Sequence, residues 1–201
     1  GALVSTYRRM NCVNHQQEDC HSCLLRLKCG YSLIFSTPNN AKNTAFAKND
    51  DLTRPFVLVI CNGEQYLFEE NSAFQVEVTL IGRSIEYLPY FIVALRELGR
   101  TGFGLKNQRG ERGKYTIKQV RQILSGEERE IYDPKQGLLS TVVPEVVPVN
   151  HLEPAASAPG ERCVKVAYST PCRVKYQGSL CAEIDFHILI RNALRRISQL
   201  Y

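Results

Sequence analysis

The chain has 201 residues, of which 44% are hydrophobic and 22% charged, with a formal net charge of +5 and a pI near 8.8. That length can bury a core in one or two domains. No apolar run approaches the roughly 18 residues that a membrane-spanning helix needs, which excludes a helical membrane protein, and the mild basicity is compatible with a nucleic-acid partner. The N-terminus shows no basic stretch followed by an apolar one, so no secretion signal is visible and the cytoplasm is the expected compartment. Eight cysteines in that setting point to free thiols or metal rather than a disulfide framework.

Leu3, Val4, Tyr7 and Met10 recur at helical spacing, so Gly1–Met10 reads as a short helix. The chain starts without methionine, and the expectation is a fragment whose preceding strand lies outside it. Cys12, Cys20, Cys23 and Cys29 follow, spaced C-x7-C-x2-C-x5-C. A C-x2-C pair places two thiolates on one ion, and four thiolates close a tetrahedral zinc site. Structural zinc, an iron–sulfur cluster and plain reduced thiols all remain open on spacing alone. His15 and His21 read as surface residues if the four thiols bind.

Tyr31–Ser36 is expected as a short apolar strand, 37–54 as a polar loop, Pro55–Cys61 as a buried strand with Cys61 in the core, and Gln65–Phe68 as a shorter strand. From Phe74 to Leu80 apolar and polar residues alternate, the mark of a half-buried strand. Leu88, Phe91, Ile92, Leu95 and Leu98 then form one helical stripe, with Pro89 in the first turn and Gly99 as the residue that ends it.

Five of the thirteen glycines fall between residues 99 and 113. From Arg96 to Arg121 eight cations face two anions, a local excess of +6 that accounts for the whole basicity of the chain. Glycines let a backbone approach a ligand closely, and lysines and arginines neutralise phosphates. Arg100, Gly102, Gly104, Lys106, Arg109, Arg112 and Lys114 are the candidate phosphate clamp, against the plainer reading of a solvated mobile loop. No GxxxxGK[ST] or strand-linked GxGxxG is present, so a polynucleotide is favoured over a mononucleotide.

Lys114–Ile123 reads as a basic strand and Glu130–Tyr132 as an edge strand. Residues 134–161 hold five of the nine prolines and mark a linker; His151 within it reads as solvated. Arg162–Val174 resumes as a strand. Asp185 is the expected N-cap of a helix through residue 201, with Phe186, Ile190, Ala193, Leu194, Ile197 and Leu200 on its apolar side. His187, Arg191 and Arg195 stack on another side, and with Arg173 and Lys175 they form a second candidate RNA-binding group.

Three stretches carry a family resemblance: LIGRSIEYLPYFIVALRELGRTGFG with RGKYTIKQV, the cysteine-rich segment running into CGYSLIF, and Thr170-Pro171-x-Arg173-x-Lys175 before the helix with Arg195-Arg196-Ile197. Together they resemble the RAMP-type CRISPR-associated endoribonucleases that process precursor CRISPR RNA. The fold class expected is α+β, and the resemblance implies a ferredoxin-like (RRM-like) arrangement. Residues 1–133 would form one nearly complete unit with cysteine-rich insertion 11–30 and glycine-rich loop 99–113. Residues 134–161 would form the linker, and 162–201 the first strand and helix of a second unit. The family normally continues to a glycine-rich loop near its end, so the chain is expected to be truncated at both ends.

The function implied is metal-independent cleavage within the repeat of a precursor CRISPR RNA, as part of antiviral defence. A base removes the 2′-OH proton and the oxygen attacks the adjacent phosphate, leaving a 2′,3′-cyclic phosphate and a 5′-OH. The resemblance assigns no catalytic residue; His187, Tyr7 and Tyr176 are the candidates, and Phe103 and Tyr115 could stack bases. The partners implied are CRISPR repeat RNA and other CRISPR-associated proteins, with no membrane. Two other classes stand beside this: a non-catalytic RNA-binding subunit of a CRISPR effector complex, and a zinc-containing interaction module. The only cofactor expected is structural zinc on Cys12, Cys20, Cys23 and Cys29.

Overall fold

A computed structural model describes residues 1–16, 19–36, 53–61, 65, 67–124, 127–135, 138–139, 146, 148, 165–168 and 172–200. Residues 37–52 of the expected loop 37–54, most of the 134–161 linker with His151, Cys163 and residues 169–171 lie outside them. The class is α+β: helices combine with small antiparallel sheets.

Helix α1 spans Ala2–Asn11 and α2 spans Gly30–Phe35. Strands β1 (Phe56–Ile60) and β2 (Val76–Leu80) pair antiparallel, Phe56 opposite Leu80. A 3-10 turn over Gly82–Tyr87 leads into α3, Leu88–Thr101. Strands β3 (Phe103–Lys106) and β4 (Arg112–Gly113) form a hairpin. Strands β5 (Val120–Leu124), β6 (Glu127–Asp133) and β7 (Leu138–Leu139) form a three-stranded sheet with β6 in the middle. A last hairpin, β8 (Lys175–Tyr176) and β9 (Ser179–Leu180), precedes α4, Phe186–Leu200.

Helix α3 holds the molecule together because it is apolar on two sides. Phe91 and Ala94 join Tyr7 of α1 and Ile34 and Phe35 of α2 in one core, which Phe56, Val78 and Leu80 of the first sheet cover. Ile92 packs instead with Ile131 and Tyr132 of β6. The rings of the first core meet edge-on or tilted: Tyr7–Phe35 centroids lie 5.0 Å apart, Phe35–Phe56 5.3 Å and Phe56–Phe91 5.5 Å. Each such pair adds about 0.5–1.5 kcal/mol to what burial alone contributes. Ser84 fastens the turn before α3: its hydroxyl accepts from Ile81 N–H (2.9 Å) and donates to the Pro55 carbonyl (2.7 Å).

Several elements differ from expectation. Residues 30–35 form a helix, not a strand. Short runs of aromatic and β-branched residues carry no period that separates the two. The helix lets Phe35 enter the core with Tyr31 tilted on it at 5.6 Å. Strand β1 forms, but Val57–Ile60 are exposed rather than buried, and Cys61 is an exposed thiol. Among the described residues neither 65–68 nor 165–174 forms a strand, and 114–119 are irregular. Strand β6 is central, not an edge. On α4 the expected apolar side is largely exposed at Phe186, Ile190, Leu194 and Ile197, and its buried residue is Ile188. The C-terminal end of α4 touches the rest: Gln199 Oε1 accepts from Thr53 N–H (3.1 Å) and Oγ1 (2.6 Å).

Gly99 does not end α3, which continues to Thr101 with Gly102 as its cap. Gly99 serves a different need. A Cβ there would lie 2.4 Å from the Tyr115 carbonyl oxygen and 3.0 Å from its ring. Tyr115 N–H donates to Gly99 O (3.2 Å) and its hydroxyl to Leu95 O (2.6 Å), so Tyr115 braces the last turns of α3. Gly→Ala in a helix ordinarily stabilises by about 0.5–1 kcal/mol. Gly99→Ala is expected to destabilise instead, by about 1–3 kcal/mol in denaturant unfolding, because the displaced backbone belongs to Tyr115; a gain in stability would remove the brace.

Burial pushes the Tyr115 phenol up to about 12, and the buried Tyr7 phenol is raised further. A folded-state value above the unfolded value means that the native state keeps its proton longer. The stability so contributed is full below roughly pH 10 and is lost as pH rises through the folded values. Thermal melts should therefore fall steeply from about pH 10 to 12, and Tyr115→Phe should flatten that fall. A melting temperature level across that range would contradict the assignment.

Candidate nucleic-acid interface

The β3–β4 hairpin is a built turn. Phe103 pairs with Gly113 and Lys106 with Arg112. Asn107 organises the tip: its Oδ1 accepts from the backbone N–H of Arg109 and of Glu111, each at 2.9 Å. Its own N–H donates to Glu111 O (2.8 Å), and Gly110 N–H donates to Asn107 O (2.9 Å). Gly110 takes φ +79°, in the left-handed region that a residue with a Cβ avoids. Gly102 turns the chain from α3 into the hairpin at φ +85°, where a Cβ would stand 3.0 Å from Cβ of Arg112. The asparagine side chain thus fixes the loop that its charge alone would leave to solvent.

The hairpin carries Lys106, Arg109, Arg112 and Lys114, all exposed. Among the described residues no carboxylate forms a salt bridge with any of the four. An open groove of about 380 Å³ runs along it, lined by Leu105, Asn107, Glu111, Arg112, Gly113 and Lys114. Two other cations of the window, Arg100 and Arg121, are engaged. Arg100 forks onto Glu97 at 2.9 and 2.8 Å, and Arg9 of α1 reaches the same carboxylate at 3.5 Å. Those cations, the Arg100 hydrogen bonds foremost, hold the Glu97 carboxyl below its ordinary range. Arg121 pairs with Glu128 across β5 and β6.

The two aromatics that flank the loop have different situations. Tyr115 is half-buried and committed to Leu95. Phe103 is 38% exposed and stands edge-on to Tyr115 at 5.5 Å, with Phe74 behind both at 6.1 and 5.2 Å. Phe103 therefore offers a ring at the base of the cationic arm, and Tyr115 supports it.

The second group of expected cations divides as well. Arg173 and Lys175 are exposed on and before β8. Arg191 lies over the Tyr176 ring at 5.9 Å, within cation–π range. His187 meets the same ring edge-on at 5.7 Å. Arg195 hydrogen-bonds Asn192 Oδ1 at 3.2 Å. The structure thus brings Tyr176, His187 and Arg191 together and leaves Tyr7 apart, at 0% exposure in the core. The hairpin that places Tyr176 was missed from sequence. Its signal was Gln177-Gly178, both at positive φ, the two-residue turn that closes tight hairpins.

Cys12, Cys20, Cys23 and Cys29 line one small cavity together with Asn14, Arg26, Tyr31 and Ser32. Their thiols do not close on a common point: among the described residues no three His, Cys, Asp or Glu side chains stand as a ready ligand set. His15 and His21 are exposed, as expected.

Because Asn107 holds the tip through two backbone N–H groups, Asn107→Ala should raise amide hydrogen exchange at Arg109 and Glu111 by up to about tenfold, with α3 unaffected. Unchanged exchange at both amides would contradict the built turn.

No characterised protein and no solved structure matches this chain. A family model described as an N-terminal domain does match, across residues 1–144, and the chain therefore belongs to the AF_1859_N family.

Proposed function

We propose that this chain binds RNA through the β3–β4 hairpin and acts on precursor CRISPR RNA. The observation that carries the binding is an ordered two-stranded arm with four exposed cations outside any salt bridge among the described residues and an exposed phenylalanine at its base. Cations neutralise backbone phosphates and an exposed ring stacks an unpaired base, the combination that single-stranded nucleic acid favours. The choice of CRISPR repeat RNA, and the ferredoxin-like reading of the β2–α3–hairpin order, rest on the resemblance of residues 80–104 and 112–120 to RAMP endoribonucleases.

The cleavage reading has one geometric support, the grouping of His187, Tyr176 and Arg191. In that reading His187 accepts the 2′-OH proton, the oxygen attacks the adjacent phosphate, the P–O5′ bond breaks, and the departing 5′-oxygen takes a proton from water. Arg191 offsets the charge that develops on the phosphorane oxygens. Tyr176 orients both side chains through its ring.

A labelled repeat RNA incubated with the chain in magnesium-free buffer reads binding and cleavage together. The expected result is a shifted complex and products with a 2′,3′-cyclic phosphate. Arg109→Glu with Arg112→Glu should weaken binding at least tenfold and lower the slope of log affinity against log salt by about 2. Unchanged affinity and slope would overturn the hairpin as the binding element. A shift without cleavage would overturn the nuclease reading and leave an RNA-binding subunit. His187→Ala should abolish cleavage while preserving the shift.

A further inference from the structure

The stretch from Cys12 to Cys29 poses a stability problem. It carries no helix or strand among its described residues, and most of them are exposed. Leu24 is 101% exposed, and Val13, Leu25 and Leu27 are exposed as well. Connections of this length without regular structure are uncommon in compact domains, and this one buries too little apolar surface to hold itself. Yet it joins the two helices whose Tyr7, Ile34 and Phe35 make the main core.

The cysteines sit where a fastener would act. Cys12 is the C-cap of α1 and Cys29 the N-cap of α2. Cys20 and Cys23 share one turn, closed by Cys23 N–H to Cys20 O at 3.3 Å. All four line a cavity of about 20 Å³. A water-sized body needs about 10–15 Å³, so the space suits one small occupant. The Cys12 thiol donates to the Asn14 carbonyl at 3.3 Å, a weak donor on a peptide oxygen.

A second observation comes from α2. Ser32 lines the same cavity, is 2% exposed, and its hydroxyl has no hydrogen-bond partner. An unmet buried hydroxyl costs about 1–3 kcal/mol. A neutral thiol accepts a hydrogen bond poorly; a metal-bound thiolate accepts well. Arg26, also at the cavity, would offset part of the double negative charge that four thiolates leave around one divalent ion.

We propose that Cys12, Cys20, Cys23 and Cys29 bind one zinc ion that ties the end of α1 to the start of α2, with Ser32 donating its hydroxyl to a bound sulfur. The sulfurs move inward by side-chain rotation to about 2.3 Å from the ion, and the thiols release their protons on binding. Ser32 is a positioning residue and does not touch the metal. The proposal is independent of RNA binding, and either can fail alone.

The test uses the full chain purified without chelator. Elemental analysis should give about one zinc per chain. Exchange for cobalt should give the intense visible bands of a tetrahedral four-sulfur site. Cys23→Ser should abolish those bands, while Cys61→Ser and Cys172→Ser leave them intact. Absence of both zinc and cobalt bands, or bands that survive Cys23→Ser, would overturn the site. If Cys23→Ser does not fold, thiol counting on the wild type decides. Four of the eight cysteines should resist a disulfide reagent until chelator is added, and eight that react together without chelator would overturn the proposal. Ser32→Ala should keep one zinc per chain but bind it about 10–100-fold more weakly; unchanged affinity would remove Ser32 from its role.

Discussion

Everything in this molecule depends on α3 being buried on two sides. Phe91 supplies one side, wedged among Tyr7, Phe35 and Phe56, and Ile92 supplies the other, against Ile131 and Tyr132. Adjacent residues on a helix point about 100° apart, so a pair of neighbouring large apolar residues can address two different layers. A helix with one layer would leave either the α1–α2 pair or the β5–β6 sheet without a base. Tyr115 then fixes where the last turn of α3 stands against the chain beyond β4, and Gly99 is small so that it can. The cationic hairpin inherits its position from that brace, because Gly102 and Phe103 come directly after α3.

The sequence is legible where one physical signal dominates. The stripe Leu88–Leu98 named the buried side of α3 because its period belongs to a helix alone. Alternation from Phe74 to Leu80 named β2, whose residues 76–80 alternate between half-buried and exposed. GYSLIF failed because a six-residue aromatic and β-branched run has no period to read, and tertiary packing of Phe35 decides its state. The run FVLVI failed in a different way: its strand is real, but composition does not report whether a second layer covers it. Gly99 was read by a frequency rule for helix ends, when its reason was a neighbour distant in sequence.

The candidate sites divide along the same line. The charge excess from Arg96 to Arg121 was visible in the sequence, but not which cations are already paired. Arg100 and Arg121 are bound to carboxylates; Lys106, Arg109, Arg112 and Lys114 are not among the described salt bridges. That division arises from side-chain geometry, which a linear count of charge cannot hold. Likewise the cysteine spacing announced four thiols, while their shared cavity and the orphaned Ser32 hydroxyl needed the fold.

The sheets also bear on how the chain acquires its shape. Each described strand pairs with its neighbour in sequence, β1 with β2, β3 with β4, β5 with β6 and β6 with β7, β8 with β9. All but the β1–β2 pairing close short loops, and hairpins of this kind form in about 1–10 μs. Loop-closure entropy falls instead on the docking of α1 against α3, which brings together segments that lie far apart along the chain. Local hairpins can therefore come and go early, and assembly becomes committed when Tyr7 meets Phe91. Substitutions in that ring cluster should therefore slow folding.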